Sequence, residues 1–108
     1  VLIEAGADVN TPGKNGASPV IAASMKGHTE VVRILIERGA DLNAFDSYGN
    51  TALMIAVGTG FSDISELLIK NGADYNICDD KGYTPLKLAE EKGYTRIAEI
   101  LREHGAVI

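Results

Sequence analysis

Residues 48–60 read YGNTALMIAVGTG, and edited copies of this stretch lie on both sides of it. Residues 15–27 read NGASPVIAASMKG and residues 81–93 read KGYTPLKLAEEKG, each 33 positions from the central copy. A second motif recurs with the same period of 33 residues: it reads GADVN at 6–10, GADLN at 39–43 and GADYN at 72–76. A fixed period without insertions predicts a stack of similar units rather than one irregular core.

Each unit carries the start and stop signals of two short helices. The first helix is predicted to follow a hydroxyl N-cap and to end at a glycine that can adopt a left-handed conformation. The caps are Ser18, Thr51 and Thr84, and the closing glycines are Gly27, Gly60 and Gly93. The second helix is predicted over residues 30–38, 63–71 and 96–104, with N-caps at Thr29, Ser62 and Thr95.

Apolar residues in the second helices recur at the spacing of one helix face, which predicts that this face covers a core. They are Val31, Ile34 and Leu35, then Ile64, Leu67 and Leu68, then Ile97, Ile100 and Leu101. The segments between units are short and rich in glycine, asparagine and aspartate, and the first also contains a proline. Such segments are typical of turns, and here they suggest β-hairpin-like fingers projecting from a helical stack.

We therefore predict one domain over residues 1–108. It divides into the end of a truncated repeat at 1–12, repeats at 13–45 and 46–78, and a C-terminal capping repeat at 79–108. The last unit is more polar, with Glu90 and Glu91 in its first helix and Arg102 where earlier units carry isoleucine. A terminal unit needs such a surface because no further unit covers it.

Composition limits the function classes. The chain has 108 residues, 45% of them hydrophobic, and a net charge of −5, which argues against a nucleic-acid-binding surface. Cys78 is the single cysteine, so we expect a reducing, cytoplasmic setting. No apolar run is long enough to cross a bilayer, and we expect no membrane insertion. A monomer is expected, and self-association through the truncated N-terminal edge stays open.

The chain resembles the ankyrin repeat family. The resemblance lies in DxxGxTPL at residues 79–86, GH at 27–28, the apolar stripes and the GADxN phrases, and it covers nearly the whole chain. It implies an all-α ankyrin-repeat solenoid of stacked helix-turn-helix units with projecting β-hairpin-like loops. Family members usually carry histidine after TPL, where this chain has Ile21, Met54 and Lys87. Phe61 and Tyr94 replace the histidine of GH, and we expect their rings to fill the space between neighbouring repeats.

The resemblance also implies a protein-binding scaffold without catalytic activity, and the residues themselves indicate no cofactor or metal site. Partners of such arrays usually lie in the concave groove formed by the fingers and the first helices. Carried onto this chain, the partner-binding positions are Lys14, Asn15, Ala17, Met25, Lys26, Phe45, Ser47, Tyr48, Asn50, Thr59, Asp80, Lys81, Tyr83, Glu91 and Lys92. Independently of the family, aromatic residues displayed on rigid fingers make good anchors for a partner.

Several alternatives remain open at the level of sequence. The aromatic residues Phe45 and Tyr48 could instead pack on a neighbouring finger, and the lysines could belong to an ordinary mixed surface. The whole array could be a structural spacer or a self-associating scaffold within a larger protein. By family resemblance, Asn10, Asn43 and Asn76 occupy positions where some ankyrin arrays accept asparagine hydroxylation. No catalytic or metal-binding constellation is recognisable, and His28 is expected to form hydrogen bonds at a helix boundary.

Overall fold

The computed structural model describes residue 13 and residues 16–106, which form six α-helices in three consecutive pairs. The helices are α1 (Pro19–Lys26), α2 (Thr29–Glu37), α3 (Ala52–Thr59), α4 (Ser62–Lys70), α5 (Pro85–Lys92) and α6 (Thr95–Glu103). In this part of the chain the only β-type pairing is an isolated antiparallel bridge between Phe45 and Thr51. The predicted all-α stack of helix pairs is therefore confirmed.

The helix pairs form two rows. The first helices α1, α3 and α5 contact one another in order, and the second helices α2, α4 and α6 form a row behind them. Within each pair the two helices also contact each other. Residues one period apart occupy equivalent places, as Leu35, Leu68 and Leu101 are all fully buried. Sequence equivalence thus translates into structural equivalence, as a repeat array requires.

The small residues of the first helices allow this close stacking. Ala23, Ala56 and Ala89 are all buried at the same position of their helices. The central helix α3 has a neighbour on each side in its own row and α4 behind it. Its exposed surface is therefore reduced to one strip, made by Ile55, Gly58 and Thr59, while its other residues are buried.

The predicted apolar stripe is fully buried in α6, whereas one of its residues in α4 and two in α2 are not. Ile64 and Ile97 are buried, whereas the equivalent Val31 is only half-buried and Val32 is buried instead. Ile34 is 37% exposed and its counterpart Leu67 is half-buried, whereas Ile100 is buried. The helices α4 and α6 each pack against a preceding second helix, and no helix in the described residues precedes α2 in that row. The burial of Ile64 and Ile97, but not of Val31, therefore follows the presence of a preceding helix, which sequence periodicity does not supply.

The first-helix caps follow the prediction at two sites. Thr51 and Thr84 accept hydrogen bonds from the backbone N–H groups of Met54 and Lys87, at 3.3 and 3.2 Å. Ser18 also occupies the N-cap position, but its side chain forms no capping hydrogen bond. Its Oγ is buried without a hydrogen-bond partner among the described residues. The prediction that Ser18 caps α1 through its hydroxyl is therefore wrong.

The second helices begin one residue earlier than predicted. Thr29, Ser62 and Thr95 are the first helical residues, and the N-cap positions fall to His28, Phe61 and Tyr94. None of these three side chains forms a capping hydrogen bond. The hydrogen-bonding role expected for His28 at this boundary is thus confined to its backbone, whose N–H donates to Ala23 O at 3.0 Å.

Two aromatic rings fill the space between successive units, as predicted. Gly27 and Gly60 close α1 and α3 with φ of 73° and 81°. A Cβ on Gly27 would lie 3.0 Å from Cζ of Phe61, and a Cβ on Gly60 would lie 3.0 Å from Cζ of Tyr94. Each ring therefore rests on the closing glycine of the preceding unit. Gly93 has the same backbone conformation, but a Cβ there would meet no atom within 4 Å.

The last described unit has a polar outer side. Arg102 and Glu90 form an ion pair that joins α6 to α5. Tyr75 packs against the hydrophobic core, and its hydroxyl donates to the carbonyl oxygen of His104. The truncated repeat predicted at residues 1–12 lies outside the described residues, so the predicted repeat boundaries stay predictions.

The two cap positions of α1 and α3 should respond differently to the loss of the hydroxyl. Thr51→Ala is expected to lower the free energy of unfolding by about 0.5–2 kcal/mol, because it removes a formed cap. Ser18→Ala should leave it unchanged or raise it by up to about 1–3 kcal/mol, because it removes a buried hydroxyl that has no hydrogen-bond partner. Urea unfolding followed by circular dichroism measures both, and equal losses would contradict the cap assignment.

The ring contact can be measured by comparing two closing glycines. Gly93→Ala should lower the free energy of unfolding by about 1–2 kcal/mol, the cost of a left-handed alanine. Gly60→Ala should cost about 1–3 kcal/mol more, because its methyl group also displaces the Tyr94 ring. Equal effects in urea unfolding would show that the ring adapts without loss of packing.

Candidate functional site

The second and third fingers are each held rigid by an aspartate at the base, Asp46 and Asp79. The Asp46 Oδ1 atom accepts hydrogen bonds from the backbone N–H groups of Tyr48 and Asn50, at 2.9 and 3.0 Å. Its own N–H donates to Asn50 O, and Gly49 N–H donates to Asp46 O, both at 3.0 Å. The finger therefore presents the side chains of Tyr48 and Asn50 from a fixed backbone.

The next finger repeats this arrangement around Asp79, whose Oδ1 accepts from the N–H groups of Lys81 and Tyr83 at 2.9 Å. In the first finger Gly13 occupies the equivalent position and keeps the two backbone bonds, from its N–H to Ala17 O at 2.8 Å and from Gly16 N–H to its own carbonyl oxygen at 3.2 Å. No carboxylate is available at Gly13 to accept the remaining turn N–H groups.

A hollow of about 420 Å³ lies between the fingers and the first helices. Its walls and floor are largely apolar. They are formed by Ala17, Met25, Asp46, Tyr48, Asn50, Met54, Ile55, Gly58, Thr59 and Leu88. The Thr59 hydroxyl is turned to its own helix, where it donates to Ile55 O at 2.6 Å. The hollow therefore favours an apolar group over a strongly hydrogen-bonding one.

A second depression adjoins the hollow through shared residues. It measures about 360 Å³ and is lined by Tyr48, Asn50, Asp79, Asp80 and Lys81. Its lining is polar and charged, in contrast to the first hollow. The two depressions together form a continuous surface with an apolar centre and a polar flank, both bordered by Tyr48.

Tyr83, Lys87 and Glu91 form a cluster in the last unit. The Lys87 ammonium lies 5.1 Å from the centre of the Tyr83 ring, within the range of a cation–π interaction. The pKa of Tyr83 is raised above its ordinary value, first because the negative charge of Glu91 opposes the phenolate. A hydrogen bond from the protonated hydroxyl to Glu91, desolvation and the charge of Asp79 raise the pKa further.

The structure brings part of the predicted site together. Ala17, Met25, Tyr48, Asn50 and Thr59 line the apolar hollow, and Asp80 and Lys81 join Tyr48 and Asn50 in the polar depression. Tyr83 and Glu91 meet in the C-terminal cluster. Four predicted residues are exposed but line neither depression: Lys26, Phe45, Ser47 and Lys92. Lys14 and Asn15 lie outside the described residues.

The two aromatic residues of the second finger, Tyr48 and Phe45, differ in their position relative to the two depressions. Tyr48 is 60% exposed and borders both depressions. Phe45 is 69% exposed at the base of the finger, where it pairs with Thr51 through the isolated bridge. Most of each ring faces solvent, so neither ring is buried against a neighbouring finger.

Sequence reasoning missed the floor of the hollow, which consists of Met54, Ile55, Gly58 and Leu88. One signal was available. Residues 52–57 are all apolar, which is more than a helix covered on one side requires. Such a helix must be covered on several sides. The glycine that follows the run, at position 58, then marks the strip of the helix that stays uncovered.

The described residues contain no group of three or more His, Cys, Asp and Glu placed to hold a metal ion. Cys78 is exposed and free. His104 Nδ1 lies 2.9 Å from Ile100 O, within its own helical turn. None of the helices in the described part is long and apolar enough to cross a membrane.

Comparison with known families decides the classification. A family model described as ankyrin repeats, in three copies, matches residues 1–79. The chain belongs to the ankyrin repeat family. The match ends before α5 and α6, but these helices continue the same stack. A search of curated proteins returned no match. Ankyrin repeats are in general protein–protein interaction modules, and the family is typically non-catalytic.

The ankyrin repeats of this chain replace the usual histidine after TPL in two different ways. Ile21 and Met54 are fully buried, so an apolar contact occupies the place of a polar side chain. Lys87 is half-buried and reaches the Tyr83 ring. Successive loops are linked by a hydrogen bond at another position. There Asn43 Oδ1 accepts from Asp74 N–H of the next repeat, at 2.7 Å.

The Tyr83 cluster predicts a specific pH response. Glu91→Gln should lower the pKa of Tyr83 towards its ordinary value of about 10, because it removes the opposing charge. Tyrosine NMR titration, with Tyr83→Phe to assign the signal, measures the change. The control Glu99→Gln removes the same charge from α6 and should not alter the pKa.

The same shift has a consequence for stability. Because native Tyr83 holds its proton more tightly than the unfolded chain does, stability is retained below pH of about 10 and falls as the pH rises through the native pKa. Glu91→Gln should weaken this fall in urea unfolding at alkaline pH. A Tyr83 pKa that is unchanged in Glu91→Gln would contradict the assigned cause.

Proposed function

We propose that this ankyrin repeat domain is a non-catalytic recognition module that binds a segment of another protein in the concave groove. The groove is defined here as the apolar hollow together with the polar depression beside it. The proposal extends the general role of ankyrin repeats to particular residues, and it names Tyr48 as the main anchor.

The observation that carries the proposal is the set of apolar side chains left uncovered above a completed core. Met25 is 48% exposed and Tyr48 is 60% exposed, and both border the same hollow. Clustered apolar groups at a concave surface are typical of binding sites, because a partner removes them from water. Tyrosine suits an anchor, since it offers a large contact area with few rotatable bonds.

The rigidity of the fingers supports the same function. The Asp46 and Asp79 carboxylates fix the backbone from which Tyr48, Asn50 and Lys81 project. A preorganised surface loses little conformational freedom on binding, so more of the contact energy appears as affinity. A structural spacer has no need for fixed, exposed aromatic residues at a hollow.

The expected setting follows from the sequence. We propose a monomeric domain in a reducing, intracellular compartment, with a protein as its partner rather than a nucleic acid. The single free Cys78 and the net charge of −5 are consistent with this setting.

Alanine substitution separates recognition from a spacer role. Tyr48→Ala is expected to weaken binding to the partner by about 2 kcal/mol or more, the loss typical of an interface anchor. Phe45→Ala and Tyr83→Ala should have smaller effects, because Phe45 lies outside the hollow and Tyr83 is engaged with Lys87. Quantitative affinity capture from cells of origin, followed by titration of the recovered partner, measures these losses.

The control is Lys70→Ala, an exposed change on the outer row of helices, which should leave capture unchanged. Circular dichroism must show the same helix content in every variant. If Tyr48→Ala retains every captured protein at wild-type level, the recognition role is wrong and the spacer role is favoured.

A further inference from the structure

Three of the four tyrosines are engaged by the fold of the described residues. Tyr75, Tyr83 and Tyr94 are all half-buried. The Tyr75 hydroxyl donates to the carbonyl oxygen of His104, and the Tyr83 hydroxyl is hydrogen-bonded to Glu91. The Tyr94 ring lies against the glycine that closes α3. An enzyme that modified any of these three side chains would have to displace contacts that hold the stack together.

Tyr48 is the exception. Its side chain is 60% exposed, and its hydroxyl forms no hydrogen bond within the described residues. It stands on the turn of the second finger, outside the helices. The turn is fixed through the backbone, since the Tyr48 N–H donates to Asp46 Oδ1. The phenol can therefore be approached and modified without opening a helix and without breaking the turn.

The surroundings of this phenol are unfavourable for an added negative charge. The linings of the hollow and the depression contain the carboxylates of Asp46, Asp79 and Asp80 against the single ammonium group of Lys81. A phosphate ester on tyrosine carries a charge of about −1.5 to −2 at neutral pH. It would be repelled by the carboxylates, and its desolvation against the apolar hollow would be costly. A phosphate at position 48 therefore opposes burial of the ring under a partner.

We propose that Tyr48 is a phosphorylation site for a protein tyrosine kinase and that its phosphorylation switches the groove to a non-binding state. This inference rests on the proposed function and adds its regulation. A bound partner covers the same ring, so partner and kinase exclude each other.

The chemistry is phosphoryl transfer from ATP. The phenolic oxygen of Tyr48 attacks the γ-phosphorus of ATP, and a new oxygen–phosphorus bond forms. The bond between the γ-phosphorus and the β–γ bridging oxygen breaks, and ADP leaves. The phenolic proton passes to a base of the kinase and then to water. No oxidation or reduction takes place.

The first experiment measures which tyrosine is modified. The intact chain is incubated with a recombinant tyrosine kinase of broad specificity and magnesium ATP, and tryptic peptides are quantified by mass spectrometry over time. The four tyrosines fall on four separate tryptic peptides, residues 39–70, 71–81, 82–87 and 93–96. Synthetic peptides centred on each tyrosine give the sequence preference of the kinase, by which the rates in the folded chain are divided.

After this correction, Tyr48 should be phosphorylated at least tenfold faster than Tyr75, Tyr83 or Tyr94. In Tyr48→Phe, phosphorylation of the folded chain should fall at least tenfold. Equal corrected rates at Tyr48 and at any of the other three would overturn the assignment of the site.

The second experiment measures the effect on binding. The phosphorylated chain is separated by anion exchange, and it is compared with the untreated chain in capture of the proteins that Tyr48→Ala fails to retain. Phosphorylation should weaken this capture at least tenfold, and treatment with a tyrosine phosphatase should restore it. Circular dichroism should show the same helix content before and after phosphorylation, because the modified side chain lies outside the core.

The outcomes distinguish this inference from the proposed function. Selective phosphorylation of Tyr48 with reversible loss of capture supports both. Unselective phosphorylation, or capture by the phosphorylated chain that is unchanged or stronger, overturns the switch and leaves the groove as a binding site. If Tyr48→Ala itself retains every captured protein, the recognition role is wrong and the switch is wrong with it.

Discussion

The structure depends on the inability of any one helix pair to bury its own apolar surface. The helices are only eight or nine residues long, and isolated helices of this length are marginal in water. Stability comes from burial between layers, as Leu35, Leu68 and Leu101 are each covered within the same two-row arrangement. The constraint explains the strict period, because an insertion in one layer would displace the contacts of the next.

The same constraint creates the groove. The first helices must approach closely, which selects Ala23, Ala56 and Ala89 at their contacts. Once α3 is covered by its neighbours, only a narrow strip of it remains accessible, and the fingers stand along this strip. The hollow is therefore a by-product of stacking that Gly58 deepens. Its chemistry is free to vary without cost to the core, which suits a recognition surface.

Most of the fold could be predicted from sequence because the period repeats local signals three times. The glycines that close the first helices and the rings at Phe61 and Tyr94 were predicted correctly. The exposure of Ile34 was not predicted. Burial in a stack depends on which layers are adjacent, whereas sequence periodicity treats all copies as equal. The floor at Ile55 and Leu88 was missed since apolar residues in a helix are read as core. The unpaired hydroxyl of Ser18 has no sequence signal, as it looks the same as the formed caps.

The contact between each ring and the glycine of the preceding unit gives the array a direction. At the two junctions within the described residues, the later unit supplies an aromatic ring and the earlier unit receives it at its closing glycine, so these junctions are head-to-tail and alike. A head-to-tail junction leaves an unmatched half at each end of the array unless its rotation closes a ring. A gene duplication of one whole unit would therefore recreate both halves of a junction at once. The molecule could lengthen, and its groove with it, without the invention of any new interface.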